Sequence, residues 1–236
     1  MRYKLVAAIA IALGFAVATA VPAGAAPQRA PQVNGDLLLY ALIPDSAFGA
    51  SFSSTGSYST GSTLRSDRAR DHVPSMSCSS FEDTFRAGYY GDTAGAWDEF
   101  DNPDYLKQWP TVLGGAQQVN QFASDGAAMS FYQQERAKYQ SCQNFTEPDP
   151  ANHSPGGATF DISATDVTRT LIGRNLAFQV VQDLTISNDV ILTFFVNTLV
   201  VVSGADVYEF WDVSGTNDEP WPALMAELIH KVQQLR

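Results

Sequence analysis

The densest apolar stretch in the chain runs from Val190 to Val202, VILTFFVNTLVVV. Two apolar arms, 190–196 and 199–202, flank the polar pair Asn197-Thr198. Two apolar runs around two such residues predict a β-hairpin, because Asn accepts the left-handed backbone of a tight turn. Neither arm alternates cleanly with polar residues. Both faces of the hairpin should therefore be covered, which places it centrally in a sheet. A membrane crossing would need about 18–20 apolar residues without a turn, so that reading is rejected.

Period-two alternation marks Ala158–Ile162, Thr165–Ile172 and Leu176–Ile186, the last with Gln179, Asp183 and Thr185 on its polar face. Thr93–Phe100, with Ala94, Ala96 and Phe100 on one side, and Ala116–Ala123 read as weaker strands. Helical spacing governs Ser124–Gln140, capped by Ser124 or Asp125, where Ala128, Phe131, Tyr132, Tyr139 and Cys142 share a face. Pro222–Leu235 is a second amphipathic helix, with Leu224, Leu228, Val232 and Leu235 in one stripe and Met225 and Ile229 beside it. Ser79 and Glu82 make a capping box for a short helix over Ser80–Ala87, closed by Gly88. Asp36–Ile43 reads as a helix or a strand, and Ser51–Thr63 as a loop or weak strand. The count is about six strands and two or three helices. Short connections favour antiparallel neighbours, so the expected class is α+β: a mostly antiparallel, curved sheet with a central β-hairpin, packed by two or three helices.

The first 25 residues stand apart. Arg2 and Lys4 precede the apolar core Leu5–Ala18, and small-residue cleavage sites end at Ala20 and Ala25, as in a secretory signal peptide. Residues 26–35 read as a disordered leader and 36–236 as a single domain. The protein is accordingly expected outside the cell, with no transmembrane span after cleavage. The whole chain has 14 basic and 25 acidic residues. The signal segment removes two basic residues and no acidic ones, leaving 12 against 25, a net charge of −13. That sign disfavours nucleic acid and anionic membrane surfaces as partners.

Candidate chemistry is sparse. Cys78 and Cys142 are the only cysteines. In an exported chain a lone pair is most simply one disulfide, contributing about 4 kcal/mol through the loop it closes. A metal pair or a reactive thiol lacks neighbouring His or Cys. His72, His153 and His230 have no ligand spacing, so no zinc or other cofactor is expected. No nucleophile elbow and no phosphate-binding loop occur, and no catalytic residue is assigned. Asp98, Glu99, Asp101 and Asp104 read as a solvated turn, with weak Ca²⁺ binding or acid–base chemistry as the alternatives. Tyr89, Tyr90, Trp97, Tyr105, Trp109, Tyr208, Trp211 and Trp221 fall mostly at element ends or in loops, where such rings line clefts or pack.

The block Val119-Asn120-Gln121-Phe122-Ala123-Ser124-Asp125-Gly126-Ala127-Ala128, running to Phe131, Tyr139 and Cys142, resembles the PknH-type extracellular sensor domains of actinobacteria. Cys78 after a Ser/Met-containing segment, Gly88-Tyr89-Tyr90, the Val190–Val202 stretch and a closing amphipathic helix follow the same order, over about Asp36 to Arg236. The resemblance implies an α+β sheet with a concave ligand cleft and no catalytic residues. Kinase-linked members carry two disulfides, where this chain has cysteines for one, and this chain has no kinase domain. The expected function is a non-enzymatic, exported, sensor-like binding domain for a small or cell-envelope ligand, amphipathic or sugar-like rather than polyanionic. Tyr89, Tyr90 and Gln179 are expected to border one pocket; the competing reading packs the tyrosines on the Cys78 helix and leaves Gln179 facing water. The alternative functions are an exported hydrolase with an unrecognised site and a structural envelope protein.

Overall fold

One antiparallel sheet organises the protein. The computed structural model describes residues 33–49, 52–59, 92–102, 114–141, 144–148, 159–187, 191–214 and 221–236. Cys78, Cys142, Tyr89, Tyr90 and the helix expected at 80–87 lie outside these residues. The strands are β1 (Ser53–Ser59), β2 (Asp92–Asp101), β3 (Gly114–Phe122), β4 (Asn144–Pro148), β5 (Thr159–Ile172), β6 (Asn175–Ser187), β7 (Ile191–Ser203) and β8 (Asp206–Ser214). They join in the order β1-β2-β3-β8-β7-β6-β5-β4, with every pairing antiparallel. Helices α1 (Gly35–Ala41), α2 (Asp125–Ser141) and α3 (Trp221–Gln234) pack against it, and a single 3₁₀ turn spans Asp45–Ala47. This is the expected α+β class.

The central hairpin exists, but its turn is not at Asn197-Thr198. Val190–Val202 lies almost wholly in the single strand β7, which pairs with β8 along its second half. The chain reverses instead at Gly204-Ala205, where Gly204 has a φ of 61° that suits glycine. Asn197 stays inside the strand because its amide nitrogen finds acceptors across it: Nδ2 donates to Asp212 Oδ1 at 2.8 Å and to Ser214 Oγ at 3.3 Å. The placement of this stretch at the sheet's centre holds, since β7 and β8 are the two middle strands.

β8 itself was not expected, and the expectation that Tyr208 and Trp211 sit in loops or at element ends is corrected: both are inside it. Ala158–Ile162 and Thr165–Ile172 are one strand, β5, whose register shifts between Ala164 and Asp166, a bulge that interrupts the alternation. β3 is buried along its whole length although it carries four Gln and Asn residues. Gly115 is required there, because a β-carbon would run into the carbonyl of Trp211 on β8.

The helices cover both faces. On the first face α1 and α3 enclose Ala96, Phe100, Val119, Val201, Tyr208 and Phe210. On the second, α2 lays Ala128, Phe131, Tyr132 and Tyr139 onto Phe122, Phe178, Val180, Val200 and Val207. Ser124 caps α2, its Oγ accepting from the Ala127 N–H at 3.2 Å. The buried side of α3 is Met225, Leu228, Ile229 and Val232, with Leu235 exposed, so the helix is rotated slightly from the expected stripe.

Two glutamines of β3 fasten the N-terminal segment to the first face. Gln117 Oε1 accepts the Ile43 N–H at 2.8 Å, and its Nε2 donates to the Ile43 carbonyl at 2.5 Å. Gln121 Oε1 accepts the Val33 N–H at 2.7 Å. Each amide acts as a piece of backbone would, pairing a segment that belongs to no strand. Val33 and Gly35, at the end of the expected leader, are therefore buried parts of the domain.

Candidate functional site

A groove of about 620 Å³ opens between α1, the 3₁₀ turn and the β1–β2 edge. Leu39, Tyr40, Leu42 and Pro44 form its apolar wall, while Asp36, Asp45, Ser54, Ser57 and Asp98 supply its polar groups. Tyr40 is 84 % exposed, which leaves its ring free to meet a ligand. β1 bulges between Ser54 and Gly56, and this offset turns both serine hydroxyls toward one carboxylate. Ser54 Oγ and Ser57 Oγ donate to Asp98 Oδ1 at 2.7 and 2.6 Å. Gln117 Nε2 donates to Asp98 Oδ2 at 3.3 Å.

Asp98 also faces a second carboxyl. Burial, then the hydrogen bond and the negative charge of Asp98, push the Asp45 carboxyl up to about 6. Asp45 thus keeps its proton in mildly acidic conditions and releases it as pH rises through about 6. Asp98 is saturated by Ser54, Ser57, Gln117 and Asp45, so Asp45 is the member left to meet an incoming group. The expected acidic cluster at 98–104 is corrected accordingly. Asp98 is a buried strand residue, not part of a solvated turn, and Glu99, its chain neighbour, points to the opposite side of β2. Asp104 lies outside the described residues.

A second cavity, of about 90 Å³, sits on the same sheet face beneath the start of α3. Gln179 lines it together with Asn197, Leu199, Phe210, Trp221 and Pro222. Of the three residues expected to share a pocket, Gln179 does border one. Its companions there are residues of β7, β8 and α3, and the β6 alternation alone could not name them.

The opposite face carries a polar inlay that helical spacing missed. Glu135 of α2 and Glu209 of β8 are both buried. Burial first, and then the charges of Glu209 and Glu135, hold the Tyr139 hydroxyl well above its ordinary range. Near the β7–β8 turn, Asp206 receives Arg236 Nη2 at 2.6 and 2.7 Å, Tyr208 Oη at 3.1 Å and Gln121 Nε2 at 3.3 Å. Its carboxyl nevertheless sits above the usual range because burial outweighs those partners. Among the described residues no group of His, Cys, Asp and Glu has the geometry to hold a metal, and no helix is long and apolar enough to cross a membrane.

An open antiparallel sheet with helices on both faces places the chain in a defined class of α+β domains. Its structure is similar to the crystal structure of the extracellular domain of PknH from Mycobacterium tuberculosis, with a TM-score of 0.58 over 89 % of this chain and 100 % of that one. Sequence identity is 15 %, so the likeness establishes the fold. No family model matches the chain, and no curated protein matches it.

Proposed function

We propose that this protein is an exported, non-catalytic, sensor-like domain that binds a small or cell-envelope ligand in the groove between α1 and the β1–β2 edge. The groove itself is the supporting observation. Its volume of about 620 Å³ falls in the range of small-molecule sites, and it combines an apolar wall with a few fixed polar groups. The likeness to a kinase extracellular domain and the signal-like start of the sequence point the same way. At neutral pH Asp36, Asp45 and Asp98 make the groove negative, so it suits a hydroxyl-rich or cationic amphipathic ligand and repels polyanions.

The alternative hydrolase reading draws on one observation, the hydrogen-bonded carboxyls of Asp45 and Asp98, a pairing acid proteases use. Against it, three donors, from Ser54, Ser57 and Gln117, already occupy Asp98, leaving no symmetric pair to activate water. Nor do Ser54 and Ser57 serve as nucleophiles in this reading, because both hydroxyls donate to a carboxylate and no histidine lines the groove among the described residues.

The test is a ligand screen on the mature chain with neutral glycolipid headgroups, cationic amphipaths and polyphosphates, read by thermal shift and NMR. A hit from the first two groups should bind at least tenfold more weakly to Tyr40→Ala, with an unchanged melting temperature, because Tyr40 makes little of the core. Hits insensitive to both Tyr40→Ala and Asp45→Asn would sink the assignment. Turnover of peptide substrates at pH 4–6, abolished by Asp45→Asn, would establish the hydrolase instead.

A further inference from the structure

The cavity beneath α3 holds a buried donor that lacks an acceptor. Trp221 is 8 % exposed, and its indole Nε1 is buried with no hydrogen-bond partner among the described residues. Leaving such an N–H unpaired incurs the full desolvation penalty of the group. The ring is held in place, with Phe48 at 5.3 Å and Phe210 at 5.5 Å between centroids. It cannot swing out to water without giving up both contacts. A group that is kept buried, fixed and unpaired beside an empty space suits an acceptor that arrives from outside.

The walls define what that acceptor can be. Asp212 is 0 % exposed and takes a hydrogen bond from Asn197, a cavity-lining residue. An anion entering beside this carboxylate would meet like charge in a poorly solvated place. Leu199, Phe210 and Pro222 add apolar surface, and Gln179 is exposed at the mouth with both a donor and an acceptor. The volume of about 90 Å³ equals roughly three waters, or the edge of a small ring.

We infer that this cavity is a binding subsite, separate from the α1 groove, for a neutral oxygen acceptor that takes the Trp221 indole N–H, with Gln179 binding the same group at the mouth. A sugar hydroxyl or ring oxygen and an amide carbonyl share that chemistry. The aromatic and aliphatic walls match the C–H face of either.

The experiment uses the mature chain labelled with ¹⁵N. The sequence has four tryptophans, hence four indole signals, and Trp221→Phe identifies that of Trp221 by its loss. Titration with a methyl glycoside and with N-methylacetamide should move this signal saturably with at least one of the two, and which one responds separates a sugar from an amide source. Sodium acetate should leave it in place. Gln179→Leu should weaken the responding probe about five- to tenfold, with no change in melting temperature, since Gln179 is exposed. Tyr40→Ala should not alter this titration, so failure of the α1 groove and failure of the subsite are told apart. An indole signal that neither neutral probe moves, or that acetate moves equally, overturns the proposal; so does a Gln179→Leu protein of unchanged affinity. Should Trp221→Phe not fold, selective assignment of the wild-type indoles supplies the same readout.

Discussion

Gln117→Leu is the substitution that most directly tests how the groove is held. The wild-type amide is fully buried, pairs with both the N–H and the C=O of Ile43, and reaches Asp98. Leucine has similar volume, so no large cavity forms and the apolar term changes little in its favour. What changes is polar. Ile43 is itself 1 % exposed, so its N–H and C=O are both stranded away from water. Each such group costs about 1–3 kcal/mol, and the gain from burying leucine returns part of this. A net loss of about 3 kcal/mol is expected. Equilibrium urea unfolding should show the lower midpoint with an unchanged slope, because the surface exposed on unfolding is the same. Hydrogen exchange should show the loss concentrated in α1 and the 3₁₀ turn, the elements that Ile43 anchors. A Gln117→Leu protein less than about 1 kcal/mol below wild type, or one in which α1 exchanges no faster, would refute the view that this amide clamps the segment.

Three more expectations follow from the charged groups. Asp45 has a folded-state value of about 6 against an ordinary 3.8, so its contribution is full below pH 4 and lost as pH rises through 6; Asp45→Asn should flatten that fall and add about 1 kcal/mol at pH 7, after allowance for solvent screening at the open groove, as read by melts from pH 4 to 8. Parallel wild-type and variant curves would contradict it. Arg236→Ala strips the cation from buried Asp206, whose carboxyl is already raised, and should cost about 2–3 kcal/mol at pH 8 but less at pH 5, where a proton replaces the lost partner. Cys78→Ser should lower stability by roughly 2–5 kcal/mol if the two cysteines are bridged, and non-reducing mass mapping that found two free thiols would remove the basis for that expectation.

The sheet was legible where apolar residues alternate or run together. β6, α2 and α3 came within a few residues of their positions because each buries an apolar surface that the pattern displays. The errors have one physical source, which is polar residues satisfied by partners far along the chain. Asn197-Thr198 resembled a turn because a sequence does not show that Asp212 and Ser214 lie opposite. β3 resembled a weak strand because Gln117 and Gln121 look like surface residues until the segment they hold is placed against them. The site followed the same rule. Asp98 was visible as one of four nearby acids, but Asp45 comes from the 3₁₀ turn and Ser54 and Ser57 from β1, whose bulge brings both hydroxyls to the carboxylate. Gln179 stood out because it is on the polar side of a clear alternation; Trp221, a helix-start aromatic, carried no sign that its N–H would be left unpaired.

One row of the first face explains why polar sites occur at both of its ends. Register joins Ser57 to Asp98, Asp98 to Gln117, Gln117 to Phe210, Phe210 to Leu199, and Leu199 to Gln179. Neighbouring strands stand about 4.8 Å apart, so the four steps from Asp98 to Gln179 span roughly 19 Å. In the middle the row is apolar, because Phe48 and Trp221 cover Phe210 there, with ring centroids 5.6 and 5.5 Å from it. Toward the ends that aromatic cover stops, and the row can carry groups that bind polar partners. Phe48 also stacks on Phe100 at 4.3 Å, which ties β2 into the aromatic cluster around Phe210 and Trp221. A ligand long enough to bridge the two would have to displace this aromatic cluster, at the expense of the core. The arrangement therefore favours two separate small occupants over one large one, and their separation is set by where α1 and α3 lie across the sheet.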